Sequence, residues 1–161
     1  MFKIYLFMSA LSATVMFGCK KSSSTTETPN PSVTQLPAVF GKFNSSVTIS
    51  LEGNYVVLKS NGLPDHKSPY YQGTQWAAAQ YEAYNGSNPN FMINPNRISS
   101  QNLTFKIPVS PAAASTHDAT PMGPMGISIN GVPIFNQYAA GGMPLTGEIN
   151  SFDQYNGHPQ M

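Results

Sequence analysis

The run "SVTISLEGNYVVLKSNG", Ser46 to Gly62, commits this chain to β structure. Val47, Ile49 and Leu51 alternate with Thr48 and Ser50, the two-residue period of a strand with one buried face. Gly53-Asn54 is turn chemistry, and "YVVLK" is a β-branched run that continues as the partner strand. "NLTFKIPV" alternates Leu103, Phe105 and Ile107 in the same way, and Pro108 places its end at a sheet edge. "GISINGVPIFN" gives two short strands around Asn130-Gly131. With 13 Gly and 14 Pro in 161 residues, turns are too frequent for long helices. The expected fold class is mainly β: a small antiparallel sheet or sandwich-like domain with long loops and one short helix. Its inward side chains are expected to be Val47, Ile49, Leu51, Val57, Phe105, Ile107, Ile127 and Ile129. The helix falls in "TQWAAAQYEAY", where Trp76, Ala79, Gln80 and Ala83 share a face and Thr74 caps the start. At about three turns it needs tertiary packing through Trp76.

Charge excludes some partners. Charged residues make up only 9% of the chain, so there is no basic stripe for nucleic acid and no acidic run for a basic partner. Hydrophobic residues, at 40%, suffice for a core. The folded part is expected from Ala38 onward. Before it, residues 1–18 read as a signal peptide: Lys3 precedes an uncharged, mostly apolar run shorter than the ~20 residues a spanning helix needs. The run ends at "FGC", with the single cysteine at Cys19, and resembles the bacterial lipoprotein signal, although Met16 and Phe17 depart from its usual residues. That resemblance implies a lipid on Cys19 and a membrane-anchored protein of the cell envelope, periplasmic or at the outer surface. Residues 19–37, rich in Ser, Thr and Pro, read as a flexible tether. Without residues 1–18 the chain carries seven basic and seven acidic residues.

Chemistry-bearing residues are few. The three histidines and three aspartates pair along the chain: Asp65 with His66, His117 with Asp118, and Asp153 five residues before His158. Each group lies in a loop or just beyond a strand, where function sits on a β scaffold. A carboxylate beside an imidazole is either a fellow metal ligand or the partner that fixes the ring tautomer. The expectation is a copper or zinc site from His66, His158, Asp65, Asp153 and His117, assembled by folding because no local ligand spacing exists. Soluble surface histidines are the plainer alternative. Tyr70, Tyr71, Trp76, Tyr81 and Tyr84 either cap a small core, the favoured reading, or form a platform for a glycan or protein partner. Met122, Met125 and Met143 read as gap fillers sooner than as Cu(I) ligands. The echo between "KSNGLP" and "SINGVP" reads as recurrent Asn-Gly turn chemistry in preference to two related halves. No nucleophile elbow, phosphate loop or dinucleotide motif is present. Nothing singles out a nucleophile, and binding is expected sooner than catalysis.

"GPMGISINGVPIFNQY", with "GHP" at Gly157 to Pro159 and "SNGLPDH" upstream, resembles the bacterial YHYH-domain proteins over roughly Val47 to Pro159. The resemblance assigns Gly123, Pro124, Gly126, Asn130, Gly131, Pro133, Asn136 and His158 to family positions. It also implies a metal role for the histidines. The naming Tyr-His-Tyr-His run would start about where the sequence stops, at Met161. The domain over residues 38–161 is therefore expected to be C-terminally incomplete, or to be a member that has lost the signature. A non-metal module binding carbohydrate or protein through the tyrosine-rich surface is the second expectation.

Overall fold

A computed structural model describes residues 34–160. The signal-peptide and lipidation assignments, and nearly all of the tether, lie outside the described residues. Among those described, no helix is long and apolar enough to cross a membrane.

Three strands make the central sheet, in the order β1 (Val47–Glu52), β2 (Tyr55–Ser60) and β3 (Leu103–Pro108), all antiparallel. The register places Ile49 opposite Leu58 and Leu51 opposite Val56, with Phe105 and Ile107 continuing the same rows on β3. Side chains alternate between faces along a strand, so these pairs fill one side of the sheet. Val56 and Leu58 are completely buried there. Phe40 and Phe43 close over them from a 3-10 turn at Ala38–Lys42, their rings stacked at 6.2 Å. Each such aliphatic burial contributes about 1.5 to 3 kcal/mol. Val57 belongs to the opposite face, beside Ser50 and Lys106, yet is also buried. It is inward as expected, but not in the same layer.

The helix is much shorter than its composition suggests. α1 covers only Ala77–Gln80, and Tyr81 is already extended. Ser68 intercepts the chain there: its N–H donates to the Gln80 carbonyl at 3.0 Å, and its carbonyl accepts from Glu82 N–H at 3.4 Å. Backbone bonds that would have extended the helix are given to another segment, and a nucleus of one turn does not propagate against that competition. Thr74 does not cap the helix as expected: the N-cap is Trp76, with no side-chain cap bond, and Thr74 Oγ1 accepts from Trp76 N–H at 3.3 Å in the preceding turn.

A hairpin of β4 (Pro124–Ile127) and β5 (Pro133–Phe135) carries a bulge between Pro124 and Gly126. Ile129 does not face the core as expected; it is 60% exposed. Residues 128–131 form the turn, with Gly131 N–H donating to the Ser128 carbonyl, so the strand ends at Ile127. β6 (Tyr138–Ala139) and β7 (Met143–Pro144) add a small ribbon that the sequence did not announce. Among the described residues the strands form small antiparallel sheets with one short helix, and none closes into a barrel.

Candidate functional site

The adjacent residues Asp65 and His66 serve different ends of the molecule. Asp65 Oδ2 accepts from Asn44 Nδ2 at 3.0 Å and its Oδ1 from Asn130 Nδ2 at 2.8 Å. The carboxylate thus clamps the β4–β5 turn against the segment leading into β1. One residue on, His66 stacks on Tyr155, ring centroids 4.1 Å apart, and turns Nε2 toward Asp153 Oδ2 at 3.6 Å.

Asp153 is the most deeply enclosed charge among the described residues, 6% exposed. Ser68 Oγ donates to its Oδ2 at 2.6 Å, while the N–H groups of Tyr155 and Gly157 donate to Oδ1 at 2.9 and 3.2 Å. Burial alone pushes this carboxyl up. The facing His66, the Ser68 hydroxyl and the two amides outweigh that and hold it below the ordinary carboxylate value. Asp153 is therefore an ionised centre that shapes the loop from 153 to 157.

The second cluster lies on the same stretch of chain. A 3-10 turn at Glu148–Ser151 sets Glu148 and Ser151 three residues apart, on one face. His158 returns to both. Its Nε2 is 3.2 Å from Glu148 Oε1, its Nδ1 is 2.8 Å from Ser151 Oγ, and Asn94 Nδ2 is 3.2 Å from the same Nδ1. Phe152 packs edge-on against the ring at 4.8 Å. An amide donor at Nδ1 and a carboxylate at Nε2 select the tautomer that carries its proton on Nε2. Burial lowers the His158 pKa, against the opposing fields of Glu148 and Asp153.

These groups open into a cleft of about 630 Å³, lined by Asn94, Asn96, Met122, Gly123, Phe135, Asn136, Tyr138, Glu148, Ser151 and His158, among others. Asn136 is buried at its wall, its Nδ2 donating to the Pro121 carbonyl at 2.8 Å. A second hollow of about 360 Å³, lined by Tyr84, Asn88, Asn150, Phe152 and Asp153 among others, holds no histidine.

The histidines and carboxylates expected to converge are thus dispersed. His66 meets Asp153, whereas His158 meets Glu148. Asp65 is engaged in the clamp. His117 and Asp118 sit exposed in the loop between β3 and β4. No group of three or more His, Cys, Asp or Glu side chains able to hold a metal ion forms among the described residues. Tyr70 and Tyr71 are buried and provide no platform. Tyr70 Oη donates to the Ser151 carbonyl at 2.5 Å and accepts from Asn94 N–H at 3.2 Å; Tyr71 Oη donates to the Pro64 carbonyl at 2.8 Å. Glu148, Ser151, Ser68 and Asn94 escaped the sequence reading. The signal available for two of them was the spacing Glu148-x-x-Ser151, one tight turn. Comparison with protein-family models, curated proteins and solved structures returned no match.

Proposed function

We propose that this domain is an envelope-tethered binding module whose cleft at His158 takes a small neutral carbohydrate or polyol. One observation carries the reading: Gly123, Asn136 and His158, three of the residues that carry the YHYH-type resemblance, come from separate stretches and line the same cleft. Its walls combine amides from Asn94, Asn96 and Asn136, a hydroxyl and a carboxylate with the apolar surfaces of Phe135, Tyr138 and Met122. Sugars present that same mixture, hydroxyls on their edges and C–H faces that lie on aromatic rings. Among the described residues no lysine or arginine lines the cleft, which argues against an anionic ligand. Titration of the folded domain with neutral and N-acetylated oligosaccharides, followed by amide chemical shifts, is expected to perturb Asn94, Asn96 and Tyr138 saturably. Asn96→Ala should weaken that binding. An absence of saturable shifts across the panel rules the reading out. The tether part rests on Cys19, and Cys19→Ser should move the protein from membranes to the soluble fraction in a lipoprotein-processing host.

A second reading, transition-metal binding, has its own observation. At 3.6 Å, His66 Nε2 and Asp153 Oδ2 are too far apart for a good hydrogen bond. They are spaced like two ligands of one tetrahedral ion, for which bond lengths near 2.1 Å imply about 3.4 Å. Two donors alone make a weak copper or zinc site. Calorimetry with Zn(II) and Cu(II) on the wild type and His66→Ala tests it; equal heats for both proteins exclude His66 as a ligand.

A further inference from the structure

Glu148, Ser151 and His158 form a connected series: carboxylate, imidazole, hydroxyl. The Glu148 Oε1 to His158 Nε2 distance is 3.2 Å and the His158 Nδ1 to Ser151 Oγ distance is 2.8 Å. A nucleophile within hydrogen-bonding reach of a base, with that base oriented by a third group, is the geometric signature of an activated hydroxyl. Here the ring presents Nδ1 to the serine and Nε2 to the acid. Either imidazole nitrogen can serve as the base, because what matters is which one lacks the proton. The tautomer selected by Glu148 and Asn94 leaves Nδ1 as the acceptor. All three residues line the cleft, so the reacting hydroxyl is next to the space where a ligand would sit.

We infer that Ser151 is the nucleophile of an esterase centre in this cleft, acting on short-chain O-acyl esters of a carbohydrate or polyol. The substrate class rests on the reading of the cleft as a carbohydrate site. In the first step the Ser151 Oγ–C bond forms at the ester carbonyl, and the serine proton passes to His158 Nδ1. Collapse breaks the carbonyl carbon–alkoxide bond, and the same proton leaves on the alcohol product. Water then attacks the acyl-serine, gives a proton to Nδ1, and releases the carboxylic acid as the proton returns to Ser151 Oγ. No oxidant or metal is required for this balance.

The hydroxyl has a competing acceptor, the Glu148 carbonyl oxygen at 2.8 Å. Rotation about Cβ–Oγ turns its proton from that oxygen to His158 Nδ1, where it displaces the Asn94 amide donor at 3.2 Å. Donors for the developing oxyanion are the side-chain amides of Asn94 and Asn96. Their present bonds to the Pro159 carbonyl are long, 3.4 and 3.5 Å, and are readily exchanged for a charged acceptor. Glu148 touches no reacting atom and acts as a positioning residue for the ring.

The test uses the whole folded protein with two probes, a fluorophosphonate and p-nitrophenyl acetate. The phosphonate should add covalently to the peptide containing Ser151, and ester hydrolysis should exceed that of the heat-unfolded protein. Ser151→Ala should abolish labelling, and His158→Gln should slow both reactions by about 10²- to 10⁴-fold. Glu148→Gln, which keeps a hydrogen-bonding oxygen near Nε2, should lower kcat with little change in KM. Retained amide spectra in each variant separate lost chemistry from lost folding. Should Ser151→Ala fail to fold, Ser151→Cys replaces it, with iodoacetamide labelling read at the peptide containing position 151 and blocked when His158→Gln is combined with it. Wild-type protein that resists the phosphonate, or that is labelled elsewhere, overturns the inference while leaving saccharide binding intact. Labelling at Ser151 without any saccharide binding upholds the nucleophile and removes the carbohydrate reading instead.

Discussion

At Gly131 the backbone takes φ +90°, a region in which side chains with a Cβ are strained. A Cβ built there would collide with Ser60 Oγ and lie 3.0 Å from Val47 Cγ2. The close approach is used: Ser60 Oγ donates to the Gly131 carbonyl at 2.8 Å, inside the protein. Gly131→Ala must therefore strain the backbone and displace a buried hydroxyl at once. It should cost about 2 to 4 kcal/mol, read as a lower urea midpoint at unchanged slope. A loss below about 1 kcal/mol would mean the two turns part without consequence. The same residue-level reading explains why Asp65 and His66 stand side by side. The chain bends at Asp65-His66 itself, which sends these consecutive side chains to different partners.

Between elements, the decisive contact is the docking of the β4–β5 turn onto the central sheet. Ser60, Asp65, Asn44 and Ser46 all bond to residues 129–131. The two Asn-Gly segments that echo each other in sequence thus meet in space, one packed against the other. Asp65→Ala removes both arms of the clamp to Asn44 and Asn130. Each exposed bond contributes about 1 kcal/mol or less, so a loss of about 1 to 2 kcal/mol is expected. Hydrogen exchange should quicken at Asn44, whose N–H donates to the Ile129 carbonyl at 2.8 Å, while Leu58 in the sheet centre stays protected. Uniformly faster exchange across both would show that the turn and the sheet open as one unit.

Across the molecule, two titrating groups tie stability to pH with the same sign. His158 has its pKa lowered by burial, so the unfolded chain binds this proton more readily than the folded one. Its contribution is present above the ordinary value of 6.5 and is lost as pH falls through the lower folded value. Asp153 is lowered too, the facing His66 together with the donors from Ser68 and two amides overcoming its burial. Its contribution is lost as pH falls below the ordinary value of 3.8 toward the folded one. The melting temperature should therefore decline from pH 7 into the range below 6.5, then again in strong acid. In His158→Gln the upper step should vanish and the acid step remain. A melting temperature flat between pH 7 and 4 in the wild type contradicts the assignment for His158.

Strand positions were legible in the sequence because alternation is local: Val47, Ile49 and Leu51 declare a face whatever lies opposite. Turns were legible for a similar reason, since Gly53, Gly62 and Gly131 supply positive φ by chemistry alone. The helix after Thr74 was misjudged in length because Ser68, a residue outside it, captures its backbone. Ile129 was misplaced because an alternating pattern continues through a turn that long-range bonds from Asn44 and Ser46 hold. The site was the least legible. His66, His158 and Asp153 were chosen by residue type, but which carboxylate each imidazole faces depends on how the 148–158 loop closes. That closure, through Tyr70 to the Ser151 carbonyl and Ser68 to Asp153, spans more than 80 positions, a separation no local pattern encodes. Composition and periodicity set the β scaffold because they act between neighbours. Only the tertiary structure set Ser151 beside His158, because that contact exists only once distant segments have bound the loop in place.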